Sequence, residues 1–233
     1  MSDREAPESG SGERAPGWIE LALAIIMALA AVGTAWAGFQ SAKWGGVQAN
    51  SYAQASASRI ESSKAAAQAG QQRLTDVISF TSWLNALQAE IAQDPSVRPD
   101  GSYTPDPDEL SGFLYSRFRD EFRPAMEAWL ETRPLVSPDA PGTPFEMDEY
   151  RLDADQRAAD LVTGAEDLSA EARQANQRSD NYVLTAVALA LSLFFAGVAT
   201  RVRRLRTKKL LIVLSAVTLA GSALVLALSP VTI

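Results

Sequence analysis

Few side chains in this sequence can do chemistry. The 233 residues include no histidine and no cysteine, which removes imidazole acid/base work, thiolate nucleophiles, disulfide staples and the usual zinc sites. Carboxylates, hydroxyls, Lys and Arg are left. Asp100, Asp106, Asp108 and Glu109 form an acidic run of the kind that draws calcium, but it lacks the central glycine and the bidentate glutamate at position twelve of a calcium loop. Asp106 reads better as a helix cap. The pairs Asp153 with Asp155 and Glu166 with Asp167 fall on different faces of a helix. Glycosidase-type chemistry needs two carboxyls across a cleft, which a slender helical protein hardly offers. No catalytic, cofactor-binding or metal-binding residue is expected, and an enzyme is the last reading the residues favour.

Two constellations point to contacts rather than catalysis. One is a local repeat, WAGFQSAK then WGGVQANS, aligning Trp36 with Trp44, Gly38 with Gly46 and Gln40 with Gln48. The two tryptophans lie about 12 Å apart along a helix and roughly 80° around it, which suits the water–lipid boundary where Trp is enriched. A sharper reading makes the repeat a collar, in which Gly38 and Gly46 admit a neighbouring helix and Gln40 and Gln48 hydrogen-bond across to it. The other constellation is Arg117, Phe118, Arg119, Phe122, Arg123 and Trp129. It reads either as an amphipathic helix with its arginines paired to Asp120, Glu121 and Glu127, or as a docking face built on Arg119, Arg123 and Trp129.

Three apolar runs must position these residues. Trp18 to Phe39, Tyr182 to Thr200 and Leu210 to Leu228 are each long enough to cross a bilayer. Between the last two lies RVRRLRTKK, with six cationic residues from Arg201 to Lys209. Short loops rich in Lys and Arg stay cytoplasmic, so the sequence predicts a multi-pass protein of the bacterial inner membrane with its N-terminus inside and its C-terminus outside. Residues 1–17 are then a cytoplasmic tail and 229–233 an outside tail. Ala35 and Ala37 have the spacing of a signal cleavage site, but the apolar run is long and the preceding tail is not basic, so an anchor is favoured. Only Glu20 is ionisable within a span, which argues against an ion-coupled transporter. Ala24, Ala28, Ala31 and Ala35 in the first run, Ala186 and Ala190 in the second, and Ser215, Thr218 and Ser222 in the third are small. They let helices approach closely, within one subunit or between copies.

Residues 40–181 are expected to form an extracytoplasmic helical domain. They carry 13 Lys and Arg against 23 Asp and Glu, a balance that argues against nucleic acid as a partner. Positions Ala49, Ala53, Ser56, Ile60, Ser63, Ala67, Gly70, Leu74, Val77, Thr81, Leu84, Gln88 and Ile91 follow steps of four and three, the signature of a coiled-coil seam. A second such seam runs Ala154, Ala158, Leu161, Ala165, Leu168, Ala172, Ala175, Ser179 and Tyr182. Helices are therefore predicted over about 40–92, 107–131 and 144–181, as direct extensions of the spans. Gly45-Gly46 is a candidate bend. Start signals at Asp106-Pro107-Asp108-Glu109 and at Thr143-Pro144-Phe145-Glu146 place two of the helix beginnings, and Pro124 should kink or divide the middle helix. The fold class is all-α: three transmembrane helices, with a long antiparallel hairpin and a third helix forming an outer bundle.

The W-x-G-x-Q repeat, the EFRPAMEAWL stretch and the QANQRSDNYVL entry to the second run resemble a family of bacterial three-span membrane proteins known only as a domain of unknown function. That resemblance implies the architecture and brings no activity or cofactor. The sequence thus points to a non-enzymatic scaffold or accessory subunit that contacts the lipid bilayer and either further copies of itself or another membrane protein. A sensor or regulator acting through a partner is the alternative, with a small channel or transporter component behind it.

Overall fold

No proline interrupts the chain between Pro16 and Pro95, and the computed structural model, which describes residues 17–232, shows that interval as one helix, α1, Gly17–Gln93. The first sixteen residues of the expected tail lie outside the described residues, and Gly17 already belongs to α1. Gly45 and Gly46 stay helical. After Pro95 come two short helices, α2 (Leu110–Ser116) and α3 (Arg123–Glu131). Two long ones follow, α4 (Asp153–Arg201) and α5 (Leu205–Leu228). Among the described residues there is no strand. Helices α1, α4 and α5 are each long and apolar enough to cross a membrane. The chain divides into two compact units, one of residues up to Ala53 together with those from Leu168, the other Gln54–Asp167.

In the first unit α4 runs antiparallel to α1. Ile19 and Leu23 pack with Ala196 and Ala199, while Ala37 and Trp44 pack with Ala175 and Tyr182. Helix α5 joins both clusters through Leu211 and Ile212 at one end and Leu226 at the other. A Cβ added to Gly33 would sit 3.0 Å from Leu189 Cδ1, so the glycine permits the close approach of α1 to α4. The alanine ridge of the first span does not take part: Ala24, Ala28, Ala31 and Ala35 are all exposed. The basic turn is shorter than its nine predicted residues. Only positions 202–204 separate α4 from α5, and Arg206, Lys208 and Lys209 ride on the first turns of α5.

The second unit buries a stripe of α1 that includes Ala55, Ser62, Ala65, Ala69, Asp76, Phe80, Trp83, Leu87 and Ile91. Along most of its length this face lies opposite the predicted seam, which meets it only at the far end, where Leu84 is half-buried and Ile91 buried. Ser56, Ile60, Ser63, Ala67, Gly70, Leu74, Val77 and Thr81 point away from α4, and Ile60 and Leu74 are 56% and 61% exposed. Two residues of offset rotate a helix by roughly 200°, so one spacing describes both faces. The α4 seam is as predicted, with Ala154, Ala158, Ala165, Ala172, Ala175 and Tyr182 all buried.

The other helix starts also move. Pro124 divides the middle helix, but the break covers 117–122 and the proline opens α3, where its missing amide costs nothing. Asp106 accepts from the Asp108 N–H at 3.0 Å and caps a turn before α2, whose N-cap is Glu109. Thr143 and Glu146 do form the capping box, around a 3-10 turn Pro144–Glu146, and α4 waits until Asp153. A helix from 144 would put Phe145 about 140° or more away from Met147 and Tyr150, whereas all three pack on one core.

Candidate functional site

Nine aromatic rings make the core of the second unit. Trp83 on α1 is fully buried and touches the rings of Phe80, Tyr103, Tyr115, Phe118 and Trp129. Phe122 stacks on Phe145 at 5.4 Å, and Tyr150 meets both edge-on. Trp129 is 2% exposed and its indole N–H donates to the Pro141 carbonyl at 2.8 Å. It is a core residue, which fits the amphipathic-helix reading and takes Trp129 out of the alternative docking face. Arg123 does stay at the surface, beside Asp120 at 3.5 Å and donating to the Ser116 carbonyl at 3.1 Å.

Arg119 goes inward. Its Nε lies 3.3 Å from Asp76 Oδ1 without an aligned hydrogen bond, and its Nη2 pairs with Glu121. Asp76 is 1% exposed. Tyr150 donates its hydroxyl to Asp76 Oδ2 at 3.0 Å, and the network thereby joins α1, the turn before α3 and the segment before α4. Burial raises the Asp76 carboxyl above its ordinary range, against the pull of the Tyr150 hydrogen bond and the Arg119 charge. Burial together with the Asp76 charge raises the Tyr150 phenol, which therefore remains the donor. A lone aspartate on a stripe of Ala and Ser before it and large apolar residues after it was the sequence signal for this site, visible only once the correct face is chosen.

The Asp100, Asp106 and Glu109 carboxylates line a cavity of about 390 Å³ with Glu90, Arg98 and Tyr103. Glu90 there accepts from both the N–H and the hydroxyl of Ser111, and Asp100 pairs with Arg133. Among the described residues no group of His, Cys, Asp or Glu is arranged to hold a metal ion.

The first unit holds the tryptophan repeat, which turns Gln40 of one half and Trp44 of the other inward and leaves Trp36, Gly38 and Gly46 exposed. Gln40 is fully buried and exchanges two hydrogen bonds with the backbone of Thr232: its Nε2 donates to the carbonyl at 3.2 Å, and the Thr232 N–H donates to Oε1 at 3.1 Å. Trp44 Nε1 and the Tyr182 hydroxyl both donate to the Pro230 carbonyl, at 3.1 and 3.0 Å. Arg178 covers the Trp44 ring at 4.4 Å. These side chains clamp the extended segment after α5. Trp36 is instead 44% exposed beside Phe39. Gly38 and Gly46 have open space where a side chain would be, and Gln48 is half-buried. Among the described residues, then, Gln40 and Trp44 hold the 229–232 segment, and no helix lies against Gly38 or Gly46. Sequence reasoning placed Tyr182 on the α4 seam but missed its bond to Pro230, Arg178 and the clamped segment, whose pairing spans almost the whole chain.

No protein-family model, curated protein or solved structure matches this chain. The fold itself defines a class, an all-helical chain with three candidate membrane spans, the mark of a multi-pass membrane protein.

Proposed function

We propose that the chain is a scaffold or accessory subunit of the bacterial inner membrane, binding its partner through the outward face of α1. One observation carries this reading: in each unit α1 buries one face and leaves a second, regularly spaced one uncovered. In the first unit the free stripe is Ala24, Ala28, Ala31, Ala35, Gly38 and Ala42. Small residues at this spacing let a helix from another chain approach closely in lipid. In the second it is Ser56, Ile60, Ser63, Ala67, Gly70, Leu74 and Val77, a 3.5-residue repeat that suits a packed helix in water. The resemblance to three-span membrane proteins supports the same architecture.

The cationic residues from Arg201 to Lys209 support an inside position for that turn, and the acidic 40–181 stretch supports an outside one. Crosslinking in native membranes followed by mass spectrometry tests the proposal. A copy of the chain or a companion protein joined to α1 is the expected product, and monomer alone with no companion contradicts it. A reporter enzyme fused near Pro138 tests the orientation, with activity expected outside the cytosol. The buried Asp76 network favours a second reading, a sensor that works through the same partner.

A further inference from the structure

We propose that Asp76, Tyr150, Arg119 and Glu121 form a proton-operated latch, in which uptake of one proton at Asp76 tightens the turn 117–122 and the segment 147–152 onto α1, and its release loosens them. The proposal is independent of the scaffold reading.

The geometry leaves the Asp76 carboxylate short of partners. It is buried, it has one aligned donor, the Tyr150 hydroxyl at 3.0 Å, and its other oxygen faces Arg119 Nε at 3.3 Å with no aligned N–H. That guanidinium is shared with Glu121, which is 30% exposed and takes the direct contact. One cation therefore serves two carboxylates, and the buried one is served worse. From α1, Arg73 adds its charge near Tyr150 but is tied to Asp155 of α4 at 2.5 Å. A buried anion with incomplete hydrogen bonding holds a proton more tightly than a solvated one.

The sign follows by linkage. When the turn and segment open, Asp76 meets water and returns towards 3.8, whereas burial raises it in the closed form. The closed form thus binds the proton better, and closure is favoured most at low pH. It weakens as pH rises through the raised value. This is opposite to the usual salt-bridge latch, which acid breaks. The elements that move are those the network ties together, and they cover Phe122, Phe145 and Tyr150 of the aromatic core.

Hydrogen exchange of the full chain in detergent micelles, read by mass spectrometry and corrected for the intrinsic pH dependence of exchange, tests the latch. Peptides over 117–122 and 147–152 are expected to gain protection several-fold as the pH falls from neutral through the raised Asp76 midpoint towards its ordinary value of 3.8. Asp76→Asn should be protected across that range, with the dependence gone. Tyr150→Phe, which removes the donor that favours the anion, should move the midpoint to higher pH and covers the case of an Asp76 variant that fails to fold. Protection lost on acidification, a full pH response in Asp76→Asn, or an unmoved midpoint in Tyr150→Phe would each overturn the proposal.

Discussion

Ser192 on α4 and Ser215 on α5 bond reciprocally: each hydroxyl reaches the other's backbone carbonyl, at 2.9 and 2.8 Å, with the two Oγ atoms 3.0 Å apart. Both residues are fully buried. The pair fixes the register of the second and third spans and accounts for the first member of the small polar edge on α5. Its second member, Thr218, bonds back to the carbonyls of Leu214 and Ser215.

Removing either hydroxyl should therefore weaken the contact between these helices. Ser192→Ala or Ser215→Ala is expected to cost about 0.6 to 1.7 kcal/mol in micelles, the range for hydrogen bonds between membrane helices. The double variant should cost less than the sum, because the bonds are shared. Steric-trap unfolding measures both quantities.

The clamp on the 229–232 segment yields a labelling prediction. Gln40→Ala strips the Thr232 N–H and carbonyl of their partners, and loss of two hydrogen bonds worth about 0.5–1.5 kcal/mol each should raise the maleimide labelling rate of a Thr232→Cys reporter roughly tenfold. Trp36→Ala, on the exposed face, should leave that rate unchanged.

The aromatic core depends on Trp83 and on one glycine. Trp83→Ala is expected to destabilise the second unit by about 3–5 kcal/mol. At Gly112, an added Cβ would lie 1.9 Å from the Asp106 carbonyl oxygen. Backbone must shift to admit it, so Gly112→Ala should cost about 1–3 kcal/mol or more through overpacking. Near-UV circular dichroism during thermal unfolding reports both, since the rings supply the signal.

The returning helix was legible in the sequence because α4 offers one face of small residues at steps of four and three. Helix α1 offers two such faces. Choosing between them by bulk, with Ile60, Leu74 and Val77 inward, selects the wrong one. Ala158 and Ala165 of α4 are small, and the two backbones come close enough for the Ser62 hydroxyl to donate to the Ala158 carbonyl at 2.9 Å. Serine and alanine fit that distance where isoleucine and leucine do not. The same ambiguity hid Asp76. The tryptophan repeat named the right residues at Gln40 and Trp44, but local spacing carries no record of a partner near position 230. Likewise the start signals were real, while the lengths of the helices they open were set by where Phe145, Met147 and Tyr150 must pack.

Photocrosslinking side chains placed at neighbouring positions of α1 in native membranes test the central claim most directly. Ala31 and Ile60 face outward, whereas Ala30 and Ser62 are buried within their units. Adducts to a second chain from positions 31 and 60, with none from 30 and 62, are the expected result. Adducts from the buried positions alone, or none from any of the four, would contradict a partner face on α1.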